Sequence, residues 1–367
     1  MGKTTGKLPY MEYGPGDDRL GGAKMTYLDS NILVTVIDSL NTDYIIRLSQ
    51  NHKAFIPKEN VRFRDSGIIH PWNLSGNWKI SGDNRYDYLT INLPEKLPYR
   101  SIMHVDPARI VIDLFGITSN TNWITQLNTA KEISRAWYEQ TEDDVMRVII
   151  ELRHNQHWGY QIGYDSILSK LIVRVKRQPI VNDIRKMNIA IDAGHGGDNV
   201  GALGITSGKP EKEMTLVFAK ILETQLRKAG IKNVFMTRNT DTSLSMPDRI
   251  LALRAADPDF LISLHLNSSG SDTVRGTSSY YRYIGFRPLA SAIHNRMLEL
   301  KLNDFGCTGS FNFALSGPTE YPNCLVEIAF ISNREDEKKI LDTKFQKAVA
   351  QKIQAGLRDW LKSMNKN

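Results

Sequence analysis

The 367-residue sequence predicts a multidomain protein: two small all-β units, then an α/β domain whose largely parallel sheet is covered by helices on both faces. Three observations predict it. The chain is too long for one ordinary domain. Its first half holds short β-branched, alternating segments between turn residues. After the polar stretch Lys176–Arg185, strand-like and helix-like segments alternate to the end.

Composition narrows the classes of function. Hydrophobic residues make up 41% and charged residues 24%, as in a globular protein. No apolar run approaches the roughly 18 residues of a membrane helix, so no transmembrane segment is expected. The opening Met1–Gly6 lacks the apolar core of a secretory leader. The expectation is a cytosolic protein or one whose leader has been removed. The formal net charge of +7 favours acidic partners, and both nucleic acid and anionic wall polymers qualify. No dense Lys/Arg block with interleaved aromatics is present, so no nucleic-acid partner is expected. Cys307 and Cys324 are too few for a disulfide scaffold or a cysteine-based zinc site. Whether they pair is open.

The first unit, residues 1–75, has turn signals at Gly14-Pro-Gly16 and Gly21-Gly22. Ile32–Ile37 and Tyr44–Leu48 are strand-like around a turn at Asn41–Asp43, and Ala54–Val61 closes the unit. Residues 68–79, which include His70, Pro71, Trp72, Gly76 and Trp78, look like a linker or an edge. The second unit, residues 76–180, predicts strands at 88–93, 109–114, 145–152, 158–162 and 170–175. Ile110, Ile112 and Leu114 alternate with Val111 and Asp113, the pattern of a one-sided sheet in a sandwich.

The third unit, residues 186–367, opens with the apolar strand Asn188–Asp192, which runs into Ala193-Gly-His-Gly-Gly197. Three glycines leave open space beside His195. A helix follows from Glu211 to Ala229, with Met214, Val217, Phe218, Ile221 and Leu222 at helical spacing and Gly230 at its stop. Lys232–Thr237 predicts a strand. Ser245 or Met246 caps a second helix with Pro247 in its first turn. Strands are expected at Phe260–His265, Gly276–Tyr281 and Asn323–Phe330, and helices at 288–303, 334–341 and 343–364.

In a parallel sheet the carboxyl ends of strands share one edge with the helix N-termini. His195, His265 and Glu327 lie in or just after strands, and Glu211 opens a helix, so all four can meet at one rim. Two imidazoles and a carboxylate satisfy the donor pattern of catalytic zinc, and a second carboxylate can take a proton from water. Each residue also has an ordinary explanation. Glu211 suits a helix first turn, His265 suits a satisfied core position, and Glu327 can pair with Arg249 or Arg254. No His-Glu-x-x-His signature is present. His52, His70, His104, His154, His157 and His294 fall outside such positions and are expected to be surface or locally structural.

Three resemblances sharpen this reading. The run Gly14-Pro-Gly16, Leu20-Gly-Gly22, Tyr44–Leu48 and Ala54–Val61 resembles a bacterial SH3-like barrel, a module often found on wall enzymes. Arg109-Ile-Val-Ile-Asp-Leu-Phe-Gly116, Arg147–Leu152 and Leu171–Val175 resemble the AMIN domain, a β-sandwich that places amidases on the bacterial envelope. Residues 187–362 resemble the zinc-dependent N-acetylmuramoyl-L-alanine amidases (the amidase_3 catalytic domain). The matching stretches are Ile189–Gly197, Pro210–Leu216, Met236–Asp241, Phe260–Asn267 and Cys324–Asn333.

The third resemblance implies Zn2+ on His195, Glu211 and His265, with Glu327 as the catalytic carboxylate. It implies peptidoglycan as the partner, hydrolysis of the bond between N-acetylmuramic acid and L-alanine, and a place in the periplasm or cell envelope. The alternatives are a zinc hydrolase of another wall amide or peptide bond, and a wall-binding scaffold without activity. Lys212, Ser332 and Asn333 also match, and Arg238 and Arg249 are expected to make structural ion pairs. The sequence departs from the family in two places. Only Asn267–Arg275 follows His265 before the next strand, too short for the helix that plugs some envelope amidases, so control by a plug-displacing activator is not expected. The loop Gly309–Pro322 is aromatic and rich in Gly and Pro. It is expected either to shape a groove for glycan or stem peptide or simply to connect.

Overall fold

The computed structural model describes residues 1–16, 21–63, 73–179 and 183–364. Leu20, His70, Pro71, Trp72 and residues 180–182 lie outside the described residues. The chain divides into two compact units, Met1–Arg177 and Gln178–Asn367.

The first unit begins with β1 (Gly2–Thr4), β2 (Tyr10–Glu12), β3 (Lys24–Tyr27), β4 (Leu33–Ser39), β5 (Asp43–Arg47), β6 (Lys53–Pro57) and β7 (Val61–Phe63). They form one sheet in the order β3-β2-β6-β5-β4-β1-β7. The hairpin of β4 and β5 lies where turn chemistry placed it.

Next come β8 (Trp78–Gly82), β9 (Tyr86–Ile91), β10 (Tyr99–Val105), β11 (Ala108–Phe115), β12 (Ile124–Gln126), β13 (Ile133–Glu142), β14 (Val145–Leu152), β15 (Tyr160–Tyr164) and β16 (Leu171–Lys176). They build a four-stranded sheet, β10-β11-β14-β13, and a five-stranded one, β12-β8-β9-β16-β15. Ile110, Ile112 and Leu114 are fully buried. Asp113 is buried as well, because Arg100 and Arg147 pair with it at 2.9 and 2.7 Å. Burial disfavours its charge, but the two guanidinium groups outweigh that and hold its carboxyl below the usual carboxylate range. The end of the stretch expected as a linker or an edge is packed structure: Trp78 is 2% exposed and opens β8, which lies between β12 and β9.

The second unit contains β17 (Asn188–Ala193), α1 (Glu211–Lys228), β18 (Asn233–Met236), α2 (Met246–Ala256), β19 (Phe260–Asn267), β20 (Thr277–Tyr280), α3 (Arg287–Leu298), β21 (Asp304–Thr308), β22 (Asn323–Phe330), α4 (Arg334–Leu341) and α5 (Thr343–Ser363). The sheet order is β18-β17-β19-β22-β20-β21, parallel except where β20 meets β22. Side chains alternate along β19 and show that both faces are covered. Phe260 meets Trp360 of α5 with ring centroids 5.4 Å apart, while Ser263 bonds Asp192, which pairs with Arg249 of α2.

Ser245 caps α2 by accepting from the Asp248 amide. Helix α3 stops at Leu298, short of the expected 303, and Lys301 then takes a left-handed backbone with φ of 57°. Val217 of α1 stays 38% exposed, so the apolar stripe of that helix is narrower than its spacing implies. Cys307 on β21 and Cys324 on β22 are both free thiols, with β20 between their strands.

Candidate metal centre

His195 sits just past β17 with a φ of +62°, a left-handed conformation that costs energy in a residue with a Cβ. Two buried arginines hold this turn by its carbonyls. Arg249 of α2 donates to Ala193 O at 2.9 Å and also to His195 O. Arg238 donates to Ala193 O and Gly194 O, each at 2.9 Å. Arg249 also pairs with buried Asp192 at 2.6 Å. Burial works against the Asp192 charge, and Arg249 outweighs it, so that carboxyl lies below its ordinary range. The expected ion pair is therefore present for Arg249. Arg238 is different: its guanidinium is satisfied by backbone carbonyls, including Lys212 O at 2.7 Å and Thr240 O at 3.1 Å.

Glu211 is the first residue of α1 and is 4% exposed. Its carboxylate accepts from the amides of Ala202 and Leu266, both at 3.0 Å. It also lies 3.0 Å from His195 Nε2 and 3.1 Å from His265 Nδ1. Burial opposes the charge of Glu211, but the hydrogen bonds from His195 and His265 outweigh it and hold its carboxyl well below the usual carboxylate range. For His265, burial favours the neutral ring, while Glu211 and the nearby Glu327 charge reverse that and raise its pKa.

One donor atom from each of His195, Glu211 and His265 lies within 4.8 Å of the others. Two neutral imidazoles and one carboxylate are the protein donor set of a catalytic zinc ion, which keeps a further position for water. Two glycines keep the space open. A Cβ on Gly194 would overlap the His265 ring, and one on Gly201 would lie 2.6 Å from Glu211 Oε2 and 2.9 Å from His195 Cδ2. Gly194→Ala is therefore expected to displace His265 and weaken zinc binding at least about tenfold, the low end for disturbed ligand support. Competition with a chromogenic chelator checks this. An unchanged affinity would show that the ring has room to move.

Asn199 is a residue the sequence reading missed. Its Oδ1 lies 2.8 Å from His195 Nδ1. A proton on Nδ1, donated to Asn199, would leave the Nε2 lone pair for a metal ion in place of the bond to Glu211, so Asn199 favours the tautomer that ligates. Only a polar residue four positions after His195 hinted at it.

Glu327 lies on β22 directly beside His265 in the parallel register and is 8% exposed. Paired residues of adjacent strands share a face, so its side chain emerges on the His265 side of the sheet. Of the two candidate arginines, Arg249 holds Asp192 and Arg254 binds Glu320 at 2.5 Å. The other matching polar residues hold loops. Lys212 donates to Gly197 O and pairs with Asp241, both at 2.7 Å. Ser332 Oγ accepts from the Ser269 amide, and Asn333 caps α4. Among the remaining described histidines, His52 pairs with Glu142, His154 with Glu132 and His294 with Asp304, while His104 is exposed. The segment 268–276 after β19 contains no helix. In the 309–322 loop, Phe311 stacks on Phe313 at 5.0 Å and both rings pack on Tyr280.

Two family models match the chain: N-acetylmuramoyl-L-alanine amidase over residues 189–359 and the AMIN domain over residues 77–181. The chain is 30% identical over 284 residues to the N-acetylmuramoyl-L-alanine amidase LytC of Bacillus subtilis strain 168, covering 76% of this chain and 54% of that protein. It thus spans about half the length of that relative. It is 30% identical over 206 residues to the probable cell wall amidase LytH of Staphylococcus saprophyticus, covering 56% of this chain and 68% of that protein. The solved N-acetylmuramoyl-L-alanine amidase of Clostridium difficile 630 aligns at 31% identity with a TM-score of 0.47, covering 48% of this chain and 97% of that one. A catalytic-domain match that spans all four expected site residues, together with a relative covered over most of its length, shows that this chain belongs to the N-acetylmuramoyl-L-alanine amidase family, with an AMIN domain ahead of its α/β domain.

Proposed function

We propose that the chain is a zinc-dependent peptidoglycan amidase of the cell envelope that cuts the amide between N-acetylmuramic acid and L-alanine of the stem peptide. The observation that carries this reading is the placement of Glu327 beside a His195–Glu211–His265 donor set. Zinc bound by those three side chains would polarise the scissile carbonyl and lower the pKa of a water toward about 7. Glu327 takes the proton of the attacking water and returns it to the leaving amine, as general base and then acid. Glu211 is held as a carboxylate, the form that binds metal, and Asn199 keeps His195 in its ligating tautomer. The Arg249 and Arg238 bonds hold the turn, so the imidazole is in place before substrate arrives.

The SH3-like reading of residues 1–75 and the AMIN-like unit at 76–180 supply wall attachment in this proposal. The β10-β11-β14-β13 sheet offers an aromatic contact for that role: Arg109 and Arg135, both paired with Glu151, lie 5.3 and 4.9 Å from the Trp137 ring. The Phe311–Phe313 loop shapes the groove on the Glu327 face, since Tyr280 pairs with Leu325, two residues before Glu327.

The test is mass spectrometry of sacculi digested by the full chain, with and without chelator. Release of intact stem peptides, lost with the chelator and restored by zinc, is the expected result. Shortened stems that remain attached to glycan would point to a peptidase and reject the assignment.

A further inference from the structure

Three adjacent strands place His265, Glu327 and Ser278 in one row. His265 pairs with Glu327 from β19, and Ser278 pairs with Glu327 from the other side, on β20. All three side chains therefore emerge on one face of the sheet. Directly opposed residues in an antiparallel pair have Cβ atoms about 4.5–5.5 Å apart, which puts a serine hydroxyl within reach of a neighbouring carboxylate.

Ser278 is 0% exposed, and its Oγ has no hydrogen-bond partner among the described residues. A buried hydroxyl without a partner is costly, and an alanine at this position would avoid that cost. The next residue, Ser279, is equally buried and its Oγ likewise has no hydrogen-bond partner among the described residues, but it points to the opposite face, the side of Cys324 and away from Glu327. The backbone of this row is fixed as well: Thr277 Oγ1 donates to Glu327 O at 3.0 Å.

We infer that Ser278 is a positioning residue for Glu327. Its hydroxyl donates to the Glu327 carboxylate during turnover and aims it at the water and then at the leaving amine. Hydrogen bonds of this kind are often unmade in the resting enzyme and close in the substrate complex. The inference rests on the amidase reading of the same site. The bond needs no oxidant or cofactor, and Ser278 keeps its proton throughout.

The experiment compares the full-length wild type with Ser278→Ala and Ser279→Ala. Ser278→Ala is expected to lower kcat by about 10–100-fold, the range for one hydrogen bond to a charged group, with KM within twofold and zinc affinity unchanged. Stripped of metal, the same variant is expected to melt at or above the wild-type temperature, because the partnerless hydroxyl is gone. Ser279→Ala is expected to keep kcat within twofold. Wild-type kcat in Ser278→Ala overturns the inference. So does an equal loss in Ser279→Ala, a parallel loss of zinc affinity, or a lower melting temperature, each of which marks a packing role. Absence of stem-peptide release by the wild type would overturn the amidase reading and this inference together, whereas wild-type release with an unimpaired Ser278→Ala overturns this inference alone.

Discussion

Glu327→Gln is expected to cut kcat on peptidoglycan at least about a hundredfold, the low end for loss of a general base, while zinc remains bound. The amide keeps the size and shape of the carboxylate but cannot accept a proton from water. Glu327 lies next to His265 without belonging to the donor set, so His195, Glu211 and His265 are untouched. KM should change little, because the lost interaction matters in the transition state. Steady-state kinetics with dye-labelled sacculi, alongside zinc analysis of the same sample, checks both halves. Full turnover in a zinc-loaded variant would remove Glu327 from the mechanism.

The second large effect is at Glu211. Glu211→Ala is expected to lower zinc affinity by more than about a hundredfold, since even partners outside the ligand set cost up to about that much. Four groups lose an acceptor at once: the two imidazoles and the amides of Ala202 and Leu266. Each buried donor left unsatisfied costs about 1–3 kcal/mol, so the metal-free variant should also melt earlier than the metal-free wild type. Elemental analysis after dialysis and a thermal melt with and without added zinc separate the two losses. A variant that binds one zinc with wild-type affinity would show that the carboxylate is dispensable.

The catalytic half was readable because its chemistry and its strands coincide. Asn188–Asp192, Phe260–His265 and Asn323–Phe330 are apolar enough to be strands in any context, and each places its polar residue at the rim. The strands that were missed lack that signature. Asp304–Thr308 carries a glycine, a cysteine and no alternation, and takes its place in the sheet by pairing with β20. Ile133–Glu142 is mostly polar and is an edge strand whose sheet partner is β14. Within the site, the sequence singled out four side chains that could share one rim and expected ion pairs from Arg238 and Arg249, but it missed Asn199. An arginine is equally satisfied by a carboxylate or by carbonyls, so spacing cannot tell Arg238 from Arg249. The tautomer chosen by Asn199 depends on a turn geometry that composition does not encode.

Because β20 separates the strands of Cys307 and Cys324, their Cα atoms lie two strand spacings apart, about 9.5 Å or more. A disulfide needs less than about 7 Å. Maturation of this unit therefore requires no oxidase and no isomerase. The enzyme can be produced in a strongly reducing cytosol or handled with thiol reductants without losing a covalent brace, which frees its purification from the choice of redox buffer.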